Sequence, residues 1–523
     1  MNNDEKDLLP FSSEKAELGI VEKIIRNLFT IKNPDNMLKQ AESGGLKKTL
    51  GALDLIILGV GAIIGSGIFT VVGIAAAGSA ESAGAGPGLI ISMILASLAC
   101  VFSALCYSEF ASMIPVSGSA YLYTYATMGE FMAWLIGWVL MLEYLVGYIA
   151  VLSAWTGYFM QFIKGFSKFL PDFIVNPPHY LIHDYSTIVN NPELANLPMP
   201  HFLGIPVCIN LPGVFISIFI IYTLIKGMKE STKMAGVMVA IKLGVVGLFI
   251  LTGMFYIKPE NWVPFAPNGL NGIFMGAFLI FFAYIGFDAI ATAAEETKNP
   301  QKNLPIGIIG SLAVCTIIYV LVALVLTGVV PISQIDTQAP IASAMAMVGQ
   351  NWVAGLISIG ALTGLTSVLL VLMLAGTRIL YAMSRDGFLP KILQTLHPKF
   401  QTPHVLTILT GLICIIGSLF LNISTAAELC NFGTFTSFII VCVAVLILRK
   451  TDPNRHRPFK VPFSPFIPLM GIFCCGGLMI YSMKFLTTSK ILFPVWVVMG
   501  IAFYLMYGYK NIRSLNNDGE DNA

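Results

Sequence analysis

About twelve stretches of roughly 20 mainly apolar residues each run through this chain, and each is long enough to cross a bilayer. They cover 52–78, 87–112, 129–161, 209–226, 233–257, 270–294, 305–330, 351–380, 404–421, 425–448, 465–484 and 491–508. Helices apolar on every side need a buried or lipid environment all round, so the expected fold class is an all-α membrane protein. Composition agrees: 56% of the 523 residues are hydrophobic and 11% charged, against about 45–50% and about 25% in soluble domains. Too little charge remains to cover a wetted surface, which excludes a soluble enzyme and a disordered scaffold. A net charge of +2 offers polyanions no attracting field, so no nucleic-acid partner is expected. The third and eighth stretches are the longest and are expected to tilt. The first 45 residues are polar and charged, so no cleavable signal peptide is expected and the first span serves as the insertion signal.

Basic residues orient the chain, because Lys and Arg collect on the cytoplasmic side. With twelve spans and a cytoplasmic N-terminus, 24 of the thirty Lys and Arg fall inside, five fall outside, and one, Lys242, lies within the fifth span. The reading is therefore a multi-pass protein of the cell (inner) membrane with both termini cytoplasmic. Its expected parts are a tail at 1–45, a core at 46–448, two further helices in 449–510 and a tail at 511–523. In the first tail, Leu18, Val21, Ile25 and Leu28 recur at helical spacing, which fits an interfacial helix or an unstructured tail. The segment between the third and fourth spans holds Pro171, Pro177, Pro178 and Pro192 and reads as irregular external loop without chemistry. The nine cysteines lie almost all in apolar spans, with no spacing for a metal or a disulfide framework. The six histidines sit in loops or at span ends. No metal and no cofactor are expected.

The first span carries Gly65-Ser66-Gly67 halfway along. Glycines here can form a small-residue packing face or unwind the helix; three small residues together exceed what packing needs. The sixth span offers a counterpart in Phe282-Ala283-Tyr284-Ile285-Gly286-Phe287-Asp288. Interruptions at matching places in two halves point to a transporter substrate site. If spans one to five repeat as six to ten, the odd number of crossings makes the second copy inverted. Unwinding leaves backbone groups unpaired where there is no bulk water, at several kcal/mol each. A zwitterion satisfies them: N–H groups at Ser66 and Gly67 suit a carboxylate, and carbonyls at Ile63, Phe282 and Ile285 suit an ammonium. That describes an L-amino acid.

Few charges lie deep in the membrane. Lys242 sits about nine residues into its span, where a Lys costs about 2.5–3.5 kcal/mol. Either it snorkels or pairs statically, or it loses and regains a proton as access alternates. Glu143 can be a protonation site, a partner for a cationic substrate side chain, or a protonated structural carboxyl. Asp288 can cap the second half of the sixth span or relay a proton. Asp54, Glu109, Glu295 and Glu296 fall near cytoplasmic ends, where interfacial solvation is expected to make charge cheap.

From about Gly45 to Tyr509 the chain resembles bacterial members of the cationic amino acid transporter family, within the amino acid–polyamine–organocation (APC) superfamily. The resemblance is carried by Gly61-Ala-Ile-Ile-Gly65-Ser66-Gly67-Ile68-Phe69, Pro115-Val-Ser117-Gly118-Ser119-Ala120-Tyr121, Gly137-Trp138, Leu142-Glu143-Tyr144, Phe282 to Asp288, Glu295-Glu296-Thr-Lys-Asn299-Pro300 and Ser384-Arg385-Asp386-Gly387. It implies a LeuT-like five-plus-five inverted repeat with discontinuous helices 1 and 6. It also implies carboxylate contacts at Ser66 and Gly67, ammonium contacts at Ile63, Phe282 and Ile285, and a coupling lysine at Lys242. The family's side-chain pocket position in the eighth helix falls on Leu365, whose bulk favours a neutral amino acid over Arg or Lys. The expected function is a proton-coupled symporter importing L-amino acids. The alternatives are an exchanger, a cationic amino acid permease or, in another class, a non-transporting amino-acid sensor. An intramembrane enzyme would need a catalytic set on facing spans, and none is evident.

Overall fold

A computed structural model describes residues 28–32, 37, 48–79, 83–116, 119–202, 205–226, 232–509 and 511. Apart from Leu28 and Asn511, the expected interfacial helix and the C-terminal tail lie outside these residues. Each apolar stretch is helical, since in lipid the backbone must pair its own polar groups. The first span is split into α1 (Ala52–Ile63) and α2 (Val72–Ala77), bent by 45° across the break. There follow α3 (Leu89–Met113), the short α4 (Ser119–Thr127), α5 (Glu130–Lys164), α6 (Leu211–Lys226) and α7 (Thr232–Gly253). The second half holds α8 (Gly269–Ile280), α9 (Pro300–Val329), the short α10 (Pro340–Met347), α11 (Asn351–Arg385), α12 (His404–Phe420) and α13 (Ile423–Thr451). Last come α14 (Phe466–Ser482) and α15 (Ser489–Phe503).

Among the described residues eight helices are long and apolar enough to span a membrane, or nine if the bent pair counts as one. Three of the twelve expected spans, α6, α12 and α14, are apolar but shorter, at 16, 17 and 17 residues. The third and eighth spans, α5 and α11, are 35 residues each. They pack along one another through the centre.

Packing partners exchange between the two halves. Helix α1 packs on α9 as α8 packs on α3; α7 packs on α11 as α13 packs on α5; α12 packs on α5 as α6 packs on α11. Helix α15 lies outside this pattern and is held by indoles: Trp138 Nε1 donates to Trp496 O at 2.9 Å, Trp496 Nε1 to Trp138 O at 3.1 Å, and Trp134 Nε1 to Gly500 O at 2.9 Å. Buried indoles need such acceptors.

Two loop expectations change. The segment after α5 is not irregular: it forms short helices at Asp172–Val175, Tyr185–Asn190 and Pro192–Ala195, and a two-residue hairpin of His201–Phe202 with Ile205–Pro206. Asp184 and Asn191 cap the second and third of these helices. Elements of two to six residues are too short to show a hydrophobic period. Glu109 is not a solvated interfacial charge. It is buried, accepts from Arg449 Nε at 3.0 Å and Val461 N at 2.7 Å, and lies 3.4 Å from Arg457. Asp386, from the Ser384–Gly387 motif, accepts from the Tyr121 hydroxyl at 2.6 Å and pairs with Lys32 at 3.3 Å.

Candidate functional site

Helix α1 stops at Ile63 because Ile64 turns extended, with ψ 95°. A helix end leaves its last carbonyls without intrahelical donors. Two distant side chains supply them: Lys242 Nζ donates to Gly61 O at 2.9 Å, and the Tyr319 hydroxyl lies 2.9 Å from Ile63 O. Lys242, on α7, is completely buried. Its ammonium lies at the negative end of the α1 dipole, which is the end that favours a cation. The half-helix terminus is thus what lets a lysine stand inside the membrane. Beyond the break the chain resumes as a π-helical turn at Gly67–Val71 and then α2. The Ser66 hydroxyl at this junction is buried and has no hydrogen-bond partner among the described residues.

The sixth span breaks differently. After α8 come a 3-10 turn at Phe281–Tyr284, extended Ile285 (ψ 138°), Gly286 at φ +122°, and a second 3-10 stretch, Phe287–Glu296. Only glycine adopts that φ at little cost. Asp288 falls in the first turn of the resumed helix, the end where a carboxylate is favoured.

These breaks touch. A Cβ at Gly67 would overlap Ala283 Cα, and one at Gly286 would lie 2.9 Å from Ala62 O. The Tyr319 hydroxyl, on α9, is 2.9 Å from Ala283 O as well as from Ile63 O, so its single proton serves both broken strands of backbone. Sequence reading missed Tyr319; its signal is a tyrosine in an otherwise apolar run, which needs a partner when buried.

Between the breaks, α5, α11 and α13 lies a cavity of about 50 Å³. Ile63, Ser66, Gly67, Phe282, Ile285, Glu143 and Asp288 all line it. Among the described residues Glu143 Oε2 has no hydrogen-bond partner, while its backbone carbonyl accepts from the Cys430 thiol at 3.4 Å. Lys242 does not line the cavity but stands behind α1. Leu365 does not line it either: it is fully buried, and the α11 face toward the cavity is Val368, Val371, Leu372 and Ala375, beginning one turn further along the helix. The spacing at 368, 371, 372 and 375 is one helical stripe, but which turn of a 35-residue helix meets the cavity depends on how α11 sits against α5.

A larger cavity, of about 250 Å³, shares no lining residue with the first. It is walled by Thr70 and Thr156 from the first and third spans, His183, Asp184 and Asn210 from the segment between α5 and α6, and Gln338. The Thr70 hydroxyl is also buried without a partner among the described residues. Burial, with His179 and Lys164 close by, holds the His183 imidazole below its ordinary pKa. Burial also raises the Asp184 carboxyl despite its bonds from Thr187.

The amino acid permease family matches residues 50–509. The chain is 42% identical over 485 residues to the methylthioribose transporter of Bacillus subtilis, covering 93% of this chain and 98% of that protein. It is 44% identical over 470 residues to a branched-chain amino acid permease of the same organism, covering 90% and 94%. Over 444 residues it is 38% identical to cationic amino acid transporter 9 of Arabidopsis thaliana, covering 84% and 74%.

Proposed function

The chain belongs to the amino acid permease family, and we propose that it is a proton-coupled symporter importing L-amino acids, neutral in preference to cationic, across a cell membrane with both termini in the cytoplasm. One observation carries the reading: two interrupted helices meet backbone to backbone beside a cavity lined by the unpartnered Ser66 hydroxyl. In this reading the substrate carboxylate takes the N–H groups and hydroxyl at Ser66 and Gly67. Its ammonium takes carbonyls at Ile63, Phe282 and Ile285, and Tyr319 shares Ile63 O until it arrives. The exchange of packing partners on adding five to the span number supports a LeuT-like five-plus-five inverted repeat. The similarity to a branched-chain permease and the α11 face of valine, leucine and alanine support a neutral side chain.

Lys242 is proposed as the coupling group. Protonated, it caps α1 through Gly61 O; deprotonated, it leaves that end uncompensated, so the proton and the position of α1 are linked. Asp288 and Glu143 are proposed as further proton carriers because both line the cavity. In reconstituted vesicles an inward proton gradient is expected to drive accumulation of leucine. Lys242→Met is expected to remove gradient-driven accumulation by at least about tenfold, the loss of one proton-transfer group being worth about 10²–10⁴ in catalysis. Accumulation unchanged in Lys242→Met rules out the coupling role, and binding without flux rules out transport.

A cationic substrate is the second reading, favoured by Glu143 and Asp288 on the cavity wall. Competition of arginine and leucine for uptake decides between them.

A further inference from the structure

Four glycines line the cavity between the helix breaks: Gly65, Gly67, Gly147 and Gly286. At three of them a Cβ would be crowded. A Cβ at Gly67 would overlap Ala283, one at Gly286 would press on Ala62 O at 2.9 Å, and one at Gly65 would lie 3.3 Å from Val368 Cγ2. Gly147, on α5, is different. A methyl group there would stand 3.4 Å from Cys430 Sγ and 3.8 and 3.9 Å from the two Leu372 methyls, all at ordinary contact distance. The absent side chain leaves a hole that one methyl group fits. One wall is held in place, since the Cys430 thiol donates to the Glu143 carbonyl one helical turn away at 3.4 Å. Gly147, Leu372 and Cys430 all line the cavity, so the hole opens into it.

We infer that Gly147 provides a methyl-sized recess, walled by Cys430 and Leu372, that takes the terminal methyl of an aliphatic or thioether side chain and so selects leucine- and methionine-like substrates. The inference rests on the amino-acid reading above and names the side-chain subsite within it. Its surface is apolar and sulfur-bearing, and a thioether or branched methyl makes good contact with such a wall. A charged or hydroxylated terminus would enter it without a hydrogen-bond partner.

The test is Gly147→Ala, which builds the occupant into the protein. Alanine is a better helix former than glycine, so α5 is expected to fold. One methyl in an apolar subsite changes discrimination by about 10–200-fold; the ratio of leucine to alanine uptake, and of methionine to alanine uptake, is therefore expected to fall about tenfold or more. The second variant, Leu372→Ala, widens the recess and is expected to raise phenylalanine uptake relative to leucine. If the leucine-to-alanine ratio stays within about twofold of the parent in Gly147→Ala, or both amino acids are lost equally, the recess is wrong while the transport reading stands. A parent protein that neither binds nor takes up leucine and alanine overturns the transport reading, and the recess with it.

Discussion

The first and sixth spans are interrupted at facing places, but the two interruptions are built from different physics. At the first, the chain leaves α1 with an extended Ile64, recovers within three residues and returns to regular helix by Val72. Its glycine at 67 is there because Ala283 of the other break occupies the space of a side chain. At the sixth, the chain never returns to α-helix before Glu296, and its glycine at 286 is there for a backbone angle of +122°. One break is set by closeness alone, the other by conformation with closeness added, since a Cβ at Gly286 would also meet Ala62 O at 2.9 Å. Both are satisfied from afar: Lys242 and Tyr319 reach the carbonyls of Gly61 and Ile63 at the first, and Asn431 and Tyr319 reach those of Phe278 and Ala283 at the sixth.

That contrast ranks the expected effects of substitution. Gly67→Ala is the most damaging, because a Cβ meets fixed backbone and must push the two breaks apart. Overpacking of this kind costs about 1–3 kcal/mol, and a displacement of about 1 Å at a site costs about a hundredfold in rate. Uptake and thermal unfolding measured together test it. Gly286→Ala comes next, with strain of about 1–3 kcal/mol from an unfavourable φ and an uptake loss smaller than that of Gly67→Ala. A Gly286→Ala variant worse than Gly67→Ala would reverse the ranking of closeness over conformation.

Tyr319→Phe probes the link between the breaks. It leaves the Ile63 and Ala283 carbonyls to one fewer donor, at about 1–3 kcal/mol. The expected result is a lower unfolding temperature that recovers in saturating leucine more than the parent's rises, since a bound ammonium would supply a donor to the same carbonyl. An equal ligand-induced rise in both proteins would separate Tyr319 from the substrate site.

The smallest effect belongs to the larger cavity, which Thr70 of the first break borders. His183 is held below its ordinary value mainly by burial, so the folded chain prefers the neutral ring. That preference contributes stability above the ordinary imidazole pKa of about 6.5 and loses it as the pH falls from there toward the lower folded value. Amide protection factors in residues 179–190, with the intrinsic exchange rate at each pH divided out, are therefore expected to fall on acidification from neutral pH, and His183→Asn is expected to flatten the dependence. Identical pH profiles for the two proteins would remove His183 from this role.

Much of this was legible in the residues alone. Spans, breaks and family follow from short-range patterns: apolar runs of membrane length, Gly65-Ser66-Gly67 and Ile285-Gly286-Phe287 inside them, and one lysine left within a span. Less was legible of the cavity wall. Leu365 was expected on it from the family's pattern, yet the wall begins at Val368, because a helix shows its face in its sequence but not which turn meets its neighbour. Glu109 looked like an interfacial charge because nothing near it in sequence announces Arg449 or Arg457.

The sequence by itself therefore determined that the chain lives in lipid, where its helices break, and which ionisable groups are stranded there. These are consequences of backbone propensity and transfer free energy, which act within one segment. The tertiary structure alone decided that Lys242 closes the end of α1 across 181 residues and that Tyr319 reaches Ile63 across 256. It also decided that Gly147 opens a hole where a Cβ at the other cavity glycines would be crowded. Such contacts depend on the packing of helices remote in the chain, and no local pattern encodes the position of a partner that distant.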